Sequence, residues 1–275
     1  LIRKGVINIR EVIVLSDLHG QMLVFPKLAK IWARYPRASV VFLGDYQDSL
    51  HHHTGFATAK KIFEMQRADP THVFAIQGNH DAAAWESLTG KNEFWLDGTG
   101  EDVIAEAALA TGETAEDIDD VFQIVKQSYA ELIAWMGALP LTLAIGNLLF
   151  VHAGLDLTLA DPIADTPRHE KYWLREPYWY GPIYPNYAHN PLDYAIISGH
   201  TPTSLITGIY DAPKSQATLR NRTVSPSGVL TIQYAGEQPR YFVDGGNHSG
   251  PAGKIGNIAV FDADSGRLIE AFEDK

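Results

Sequence analysis

Five short clusters of Asp, His, Asn and Gly stand out in the 275-residue chain: Asp17-Leu18-His19-Gly20, Gly44-Asp45-Tyr46-Gln47-Asp48, Gly78-Asn79-His80-Asp81, His152-Ala153-Gly154 and Gly199-His200. Carboxylate and amide oxygens mixed with imidazole nitrogens suit Mn²⁺, Fe, Zn²⁺ or Mg²⁺. The chain has no cysteine, which excludes thiolate ligands and disulfides. Any metal therefore rests on His, Asp, Glu or Asn. Two divalent ions held close together need a carboxylate between them. The adjacent glycines let the chain turn sharply and bring backbone near such ions. One Asp-x-His is weak evidence, because a lone histidine is most often a satisfied loop or core residue. Five such clusters in one chain leave that bland reading little room.

Each cluster follows an apolar run that reads as a buried strand. Val12 to Leu15 precedes Asp17, Ser39 to Leu43 precedes Gly44, and His72 to Ile76 precedes Gly78. Between them, 21–35 and 54–67 carry apolar residues at helical spacing. Strands alternating with helices imply βαβ units and a parallel sheet. Ligands bind beyond the carboxyl ends of such strands. From 82 to 137 the pattern becomes helical, over 101–110 and 115–137, with Thr114 and Asp117 as a capping pair. This acidic block is expected to be a helical cap insertion with a solvated outer face. Strands return at 141–145 and 148–151, around the turn signal Gly146-Asn147. They continue at 194–197, 228–234, 240–243, 257–262 and 268–272. No internal repeat or linker interrupts the chain. The expected architecture is α/β, with two sheets in a sandwich flanked by helices, as a single domain over 1–275.

Apolar residues make up 45% of the chain and charged residues 20%, which excludes a disordered or collagenous chain. The formal net charge of -11 argues against coating long nucleic acids, which takes Lys and Arg on phosphates. No stretch is apolar for long enough to span a membrane. The first residues lack the apolar run and cleavage site of a secretion signal. The cytoplasm is the expected compartment.

The ordered motifs SDLHG at 16–20, GDYQDS at 44–49, GNHD at 78–81, VHAGL at 151–155 and SGHTP at 198–202 resemble the calcineurin-like metallophosphoesterases. Within that superfamily the chain is most similar to the PPP-type Ser/Thr phosphatases and bacterial diadenosine tetraphosphatases. Trp173-Leu174-Arg175 and Asp244-Gly245-Gly246 resemble two weaker family segments, so the likeness spans roughly 11–272. The resemblance implies a double β-sandwich with two divalent ions at its edge, manganese favoured. Asp17 and His19 would hold one ion, Asp45 would bridge, and Asn79, His152 and His200 would complete the other. His80 would protonate the leaving oxygen, oriented by Asp48. The implied activity is hydrolysis of a phosphomonoester, phospho-Ser/Thr or a small molecule, by a metal-activated water. A dinucleoside polyphosphate hydrolase is the alternative within enzymes, and a non-catalytic metal-binding scaffold the alternative outside them. The partner is thus a phosphorylated small molecule, a nucleotide or a phosphoprotein.

Three positions depart from the pattern. Ser49 stands where the PPP-type motif has Arg, which leaves Arg175 as the expected phosphate-binding side chain. Asp81 replaces Glu in GNHE. Pro202 stands where other branches carry a second His. Outside the motifs, His51-His52-His53 reads as an exposed loop, with substrate contact as the sharper alternative. The aromatic run 172–187 is either an ordered loop or a base-stacking platform. His72, His169, His189 and His248 have no motif context and no expected role.

Overall fold

The computed structural model describes residues 10–96, 98–175, 189–206, 222–251 and 253–274. Two five-stranded mixed sheets form the centre. The first has the order β10-β9-β1-β2-β3, built from β1 (Glu11–Leu15), β2 (Ser39–Phe42), β3 (Val73–Ala75), β9 (Ile258–Asp262) and β10 (Arg267–Phe272). The second has the order β4-β5-β6-β8-β7, from β4 (Thr142–Ile145), β5 (Leu148–Val151), β6 (Ala195–Ser198), β7 (Leu230–Ile232) and β8 (Arg240–Phe242). In each sheet three strands run parallel: β1, β2 and β3 in one, β5, β6 and β8 in the other. Antiparallel strands pair at the sides.

The apolar runs lack strict alternation because both faces of the inner strands are buried. Val12 and Val14 of β1 join Val41, Phe150, Ile197 and Phe261 in the core between the sheets. Ile13 and Leu15 point the other way and pack with Val40, Phe42 and the helices. Leu149 and Ile196 line the outer face of the second sheet. A slip of one residue in β1 would exchange its two faces, so the register is tightly specified.

Helices α1 (Val24–Arg34) and α2 (Ala57–Ala68) follow β1 and β2 as the spacing suggested. Four more helices lie between β3 and β4: α3 (Asn79–Leu88), α4 (Gly100–Thr111), α5 (Ile118–Ser128) and α6 (Ala130–Ala138). Two helices, α7 (Pro162–Asp165) and α8 (Glu170–Trp173), each of four residues, follow β5. Three local expectations change. Asn79, His80 and Asp81 form the first turn of α3 rather than a loop, continued by Ala82, Ala83 and Ala84. The helix expected over 115–137 breaks at Tyr129. That side chain packs on Phe56, with ring centroids 5.5 Å apart, and its hydroxyl donates to the Ala107 carbonyl at 3.2 Å. Tertiary packing thus overrides local helical preference there. Asp117, without Thr114, caps α5 by accepting from the Asp120 N–H at 3.0 Å. The inner faces of α4, α5 and α6 contribute Val103, Ile104, Val125, Leu132 and Met136 to the core beneath the first sheet. Among the described residues no helix is long and apolar enough to cross a membrane.

Candidate active site

The ends of β1, β2, β3, β5 and β6 converge, and each delivers one of the five clusters. Asp17, His19, Asp45 and Asp48 are all buried, as are Asn79, His152 and His200. Backbone bonds weld the loops together: the Asp17 N–H donates to the Gly44 carbonyl at 3.1 Å and the His19 N–H to the Asp45 carbonyl at 3.0 Å. The non-glycine residues with left-handed φ among the described residues are Asp17, His19, Asp45, Asp48 and His200. Each such conformation costs on the order of 1–3 kcal/mol and persists where its surroundings over-determine it. Here the strain coincides with the candidate site residues. Gly44, at φ 101°, shows how tightly the loops meet, because a Cβ there would collide with the Gly78 backbone.

Three groups of donors emerge among the described residues, one of them His19, His80 and His248 and the other two sharing Asp45. Asp17, His19 and Asp45 offer atoms within 4.8 Å of one another, and so do Asp45, His152 and His200. Asp45 belongs to both. Its Oδ2 lies 3.3 Å from His152 Nε2 and 3.7 Å from His19 Nε2. Asn79 Oδ1 lies 3.0 Å from His152 Nε2 and 2.9 Å from His200 Nδ1. The far side of each ring is anchored where it can be: His19 Nδ1–H donates to the Asp48 carbonyl at 2.5 Å, and His152 Nδ1–H to the Leu43 carbonyl at 2.6 Å. Those bonds set the tautomers and turn both Nε2 atoms towards Asp45. His200 Nε2 is buried without a hydrogen-bond partner.

The electrostatics fit a cation site. Burial pushes Asp17 up to about 6 despite the neighbouring His152. Burial also drives His19 down to about 3, with His80 adding to it, and holds His200 well below the usual range. Those two imidazoles are neutral, with lone pairs free for coordination. His152 goes the other way. Burial disfavours its charge, yet the Asp45 carboxylate outweighs that and holds it at about 10. Asp45 sits well below the ordinary carboxylate range, because His152 and His80 outweigh its own burial. The His152 proton thus supplies the positive charge that this buried carboxylate group demands, and a divalent ion among the same donors would replace it.

Beside this cluster, His80 Nδ1–H donates to Asp48 Oδ2 at 2.7 Å. Trp95 Nε1–H donates to the same oxygen at 2.7 Å. Burial opposes the charge of His80, but Asp45 and Asp48 prevail and hold it at about 9. Burial alone would raise Asp48, and its bond to His80 keeps it below the usual range. Arg175 comes to the same region, where its Nη1–H donates to the Thr201 hydroxyl next to His200. The rest of the aromatic run, 176–187, lies outside the described residues.

Several contributors escape sequence reasoning. His248, which has no motif, packs against His19 and His80 with ring centroids 4.8 Å and 5.3 Å away. No role is expected of it from the sequence, yet the structure places it beside two of the clusters. The Ser49 hydroxyl and Leu50 N–H donate to the His248 carbonyl at 3.4 Å and 3.2 Å, which seats its loop on the second motif. Asp81 accepts from the backbone N–H groups of Asp45 at 2.8 Å, Gly78 at 2.9 Å and Tyr46 at 3.2 Å. The histidine triplet is only partly the exposed loop expected: His52 is half-buried and lies 3.1 Å from the His19 carbonyl, while His53 pairs with Glu106 of α4 at 2.7 Å. Trp95 comes from a loop between α3 and α4 that carries no motif.

This arrangement of loops at strand ends defines a class. The profile of the calcineurin-like phosphoesterase family matches residues 11–227, and the chain belongs to that family. Its members are metal-dependent hydrolases of phosphorylated substrates. Among solved structures, the chain is similar to a metallophosphoesterase from Sphaerobacter thermophilus, with 14% identity and a TM-score of 0.46 over 98% of this chain and 89% of that one. It is also similar to a serine/threonine phosphatase from Saccharomyces cerevisiae, with 17% identity and a TM-score of 0.49 over 97% of this chain and 80% of that one. No curated protein sequence matches it.

Proposed function

We propose that the protein is a binuclear phosphomonoesterase acting on phospho-Ser/Thr or a small phosphorylated molecule. The observation that carries this reading is the sharing of Asp45 between two donor groups. Asp17, His19 and Asp45 would hold one divalent ion, and Asp45, Asn79, His152 and His200 the other, with manganese favoured. Bound there, such ions supply Lewis acidity to the phosphoryl group and a water activated at neutral pH. The chain's own side chains supply the rest. Asp48 fixes the His80 ring through Nδ1, so that Nε2 is left to give a proton to the departing oxygen. Arg175 binds phosphate oxygens from the Thr201 side, and its guanidinium is suited to a two-pronged contact. The helices between 82 and 137 act as a cap insertion within one domain, a view supported by the Trp95 contact to Asp48.

Protein prepared without chelator and soaked in Mn²⁺ is expected to hold about two ions per chain and to release phosphate from simple phosphomonoesters. Asp45→Asn is expected to lose both properties, because its carboxylate serves both groups. Elemental analysis and phosphate release decide the matter. Wild type with well under one ion per chain, or with metal but no hydrolysis of any monoester, overturns the proposal.

A further inference from the structure

A cleft of about 210 Å³ opens beside His80. Asn79, His80 and Ala83 line it together with the aromatic side chains of Phe94, Trp95 and Trp173. His80 and Ala83 are three residues apart on α3 and so share a face, and the small Ala83 keeps the space next to the imidazole open. Two of the aromatic walls are tied to the candidate catalytic groups. Trp95 is held by its bond to Asp48, and the Trp173 ring meets His200 edge-on with centroids 5.6 Å apart. Phe94 is 76% exposed and Trp173 48% exposed, whereas Trp95 is only 6% exposed. Two large apolar rings thus stay partly in solvent at a cleft whose lining includes the candidate proton donor.

A leaving group departs on the side from which its oxygen is protonated. If His80 is the acid, the group bonded to the ester oxygen lies against His80, which lines this cleft. Three aromatic walls offer ring faces and edges to a planar guest, and aromatic contacts of that kind favour a ring over an alkyl chain. We infer that the cleft binds the leaving group of the substrate and selects a planar aromatic one, an aryl phosphomonoester such as a tyrosine phosphate. The inference rests on the phosphomonoesterase reading above and narrows it, setting aside phospho-Ser/Thr, whose ester oxygen is bonded to an alkyl carbon. A nucleobase has the same ring chemistry, but a ribose would separate it from the ester oxygen. The aromatic side chains line the same small cleft as His80, which favours a ring bonded directly to that oxygen.

The test uses phosphonates, which carry no leaving group and so remove intrinsic reactivity from the comparison. Calorimetry on the Mn²⁺-loaded protein would compare phenylphosphonate with methylphosphonate, and the non-hydrolysable 5′-phosphonate analogue of AMP with that of ribose 5-phosphate. Phenylphosphonate is expected to bind at least about tenfold more tightly than methylphosphonate. Phe94→Ala and Trp173→Ala should each shrink that ratio, and both side chains are exposed enough for truncation to leave the core intact. Thermal melts check that they fold. Equal affinities of the two phosphonates, or a ratio unchanged in both variants, would overturn the inference. A larger gain from adenine in the AMP analogue than from phenyl would also overturn it, by reassigning the cleft to a nucleobase. Absence of hydrolysis on every monoester would instead sink the phosphomonoesterase reading, while the phosphonate ratio would still judge the cleft.

Discussion

His80 and Asp48 form the smallest unit in which the chemistry can be tested. An imidazole fixed through Nδ1 matters most when the leaving oxygen needs a proton. His80→Ala is therefore expected to keep the metals and lose about 10²–10⁴-fold in kcat on alkyl phosphates. The loss should shrink on nitrophenyl phosphate, whose leaving group needs no proton. An equal loss on both substrates would remove His80 from the acid role. Arg175, bonded to Thr201, and His248, packed on His19 and His80, are the two candidates for the phosphate contact that Ser49 does not make. A charge-assisted contact is worth roughly 1.5–3 kcal/mol, or about ten- to two-hundredfold. Arg175→Ala is expected to lower kcat/KM by that factor without metal loss. His248→Ala should give a smaller loss, since burial and the neighbouring His80 hold its imidazole below the usual range, so it brings no fixed charge to the phosphate. If Arg175→Ala retains wild-type kcat/KM and only melts earlier, its bond to Thr201 is structural. Restoring the family residue is a poor rescue, because the Ser49 hydroxyl also accepts from the His51 and His52 N–H groups at 3.1 Å and 3.2 Å. An arginine there would untie the histidine loop.

At the scale of elements, the site depends on how the β2 and β3 loops are joined. Asp81 sits in the first turn of α3 and accepts three backbone N–H groups from those two loops. A shorter residue than the Glu of the resembling motif brings its carboxylate close enough to reach them within the same turn. Asp81→Ala leaves three buried donors without an acceptor. An unsatisfied buried donor costs about 1–3 kcal/mol, and each kcal/mol lowers Tm by about 2–4 °C in a chain of this size. We expect a drop of at least roughly 5 °C together with weaker Mn²⁺ binding, because Asp45 would lose its support. A melt and a metal titration on the same preparation check this. A normal titration with a lowered Tm would limit Asp81 to stability.

At the scale of the molecule, carboxylates and strained backbone meet at one edge of the sandwich, where a cation would relieve their repulsion. A ligand that binds only the folded state stabilises it by about 2.7 kcal/mol at a hundred times its dissociation constant. Chelation of protein loaded with Mn²⁺ is expected to lower Tm by roughly 5–10 °C. Asp45→Asn should respond far less. A melt indifferent to chelator in the wild type would show that folding and metal binding are uncoupled.

Much of this was legible in the chain itself. Buried strands followed at once by polar clusters specify βαβ units whose loops share one edge, since side-chain period and short connections leave few other arrangements. That pattern was enough to nominate Asp17, His19, Asp45, Asn79, His152 and His200, which the structure brings together. The roles expected of His80, Asp48 and Arg175 came from the resemblance to the calcineurin-like phosphoesterases, not from that pattern. Other features depend on contacts between residues far apart in sequence, which local pattern does not encode. His248 reaches His19 and His80 only because its loop docks on Ser49 and Leu50. Trp95 reaches Asp48 only through the fold of the loop before α4. The break at Tyr129 arises from a partner, Phe56, more than seventy residues away in the chain. Spacing along the chain determined which residues stand at strand ends; packing between distant segments decided what surrounds them, because those segments meet only once the sheets and helices have closed.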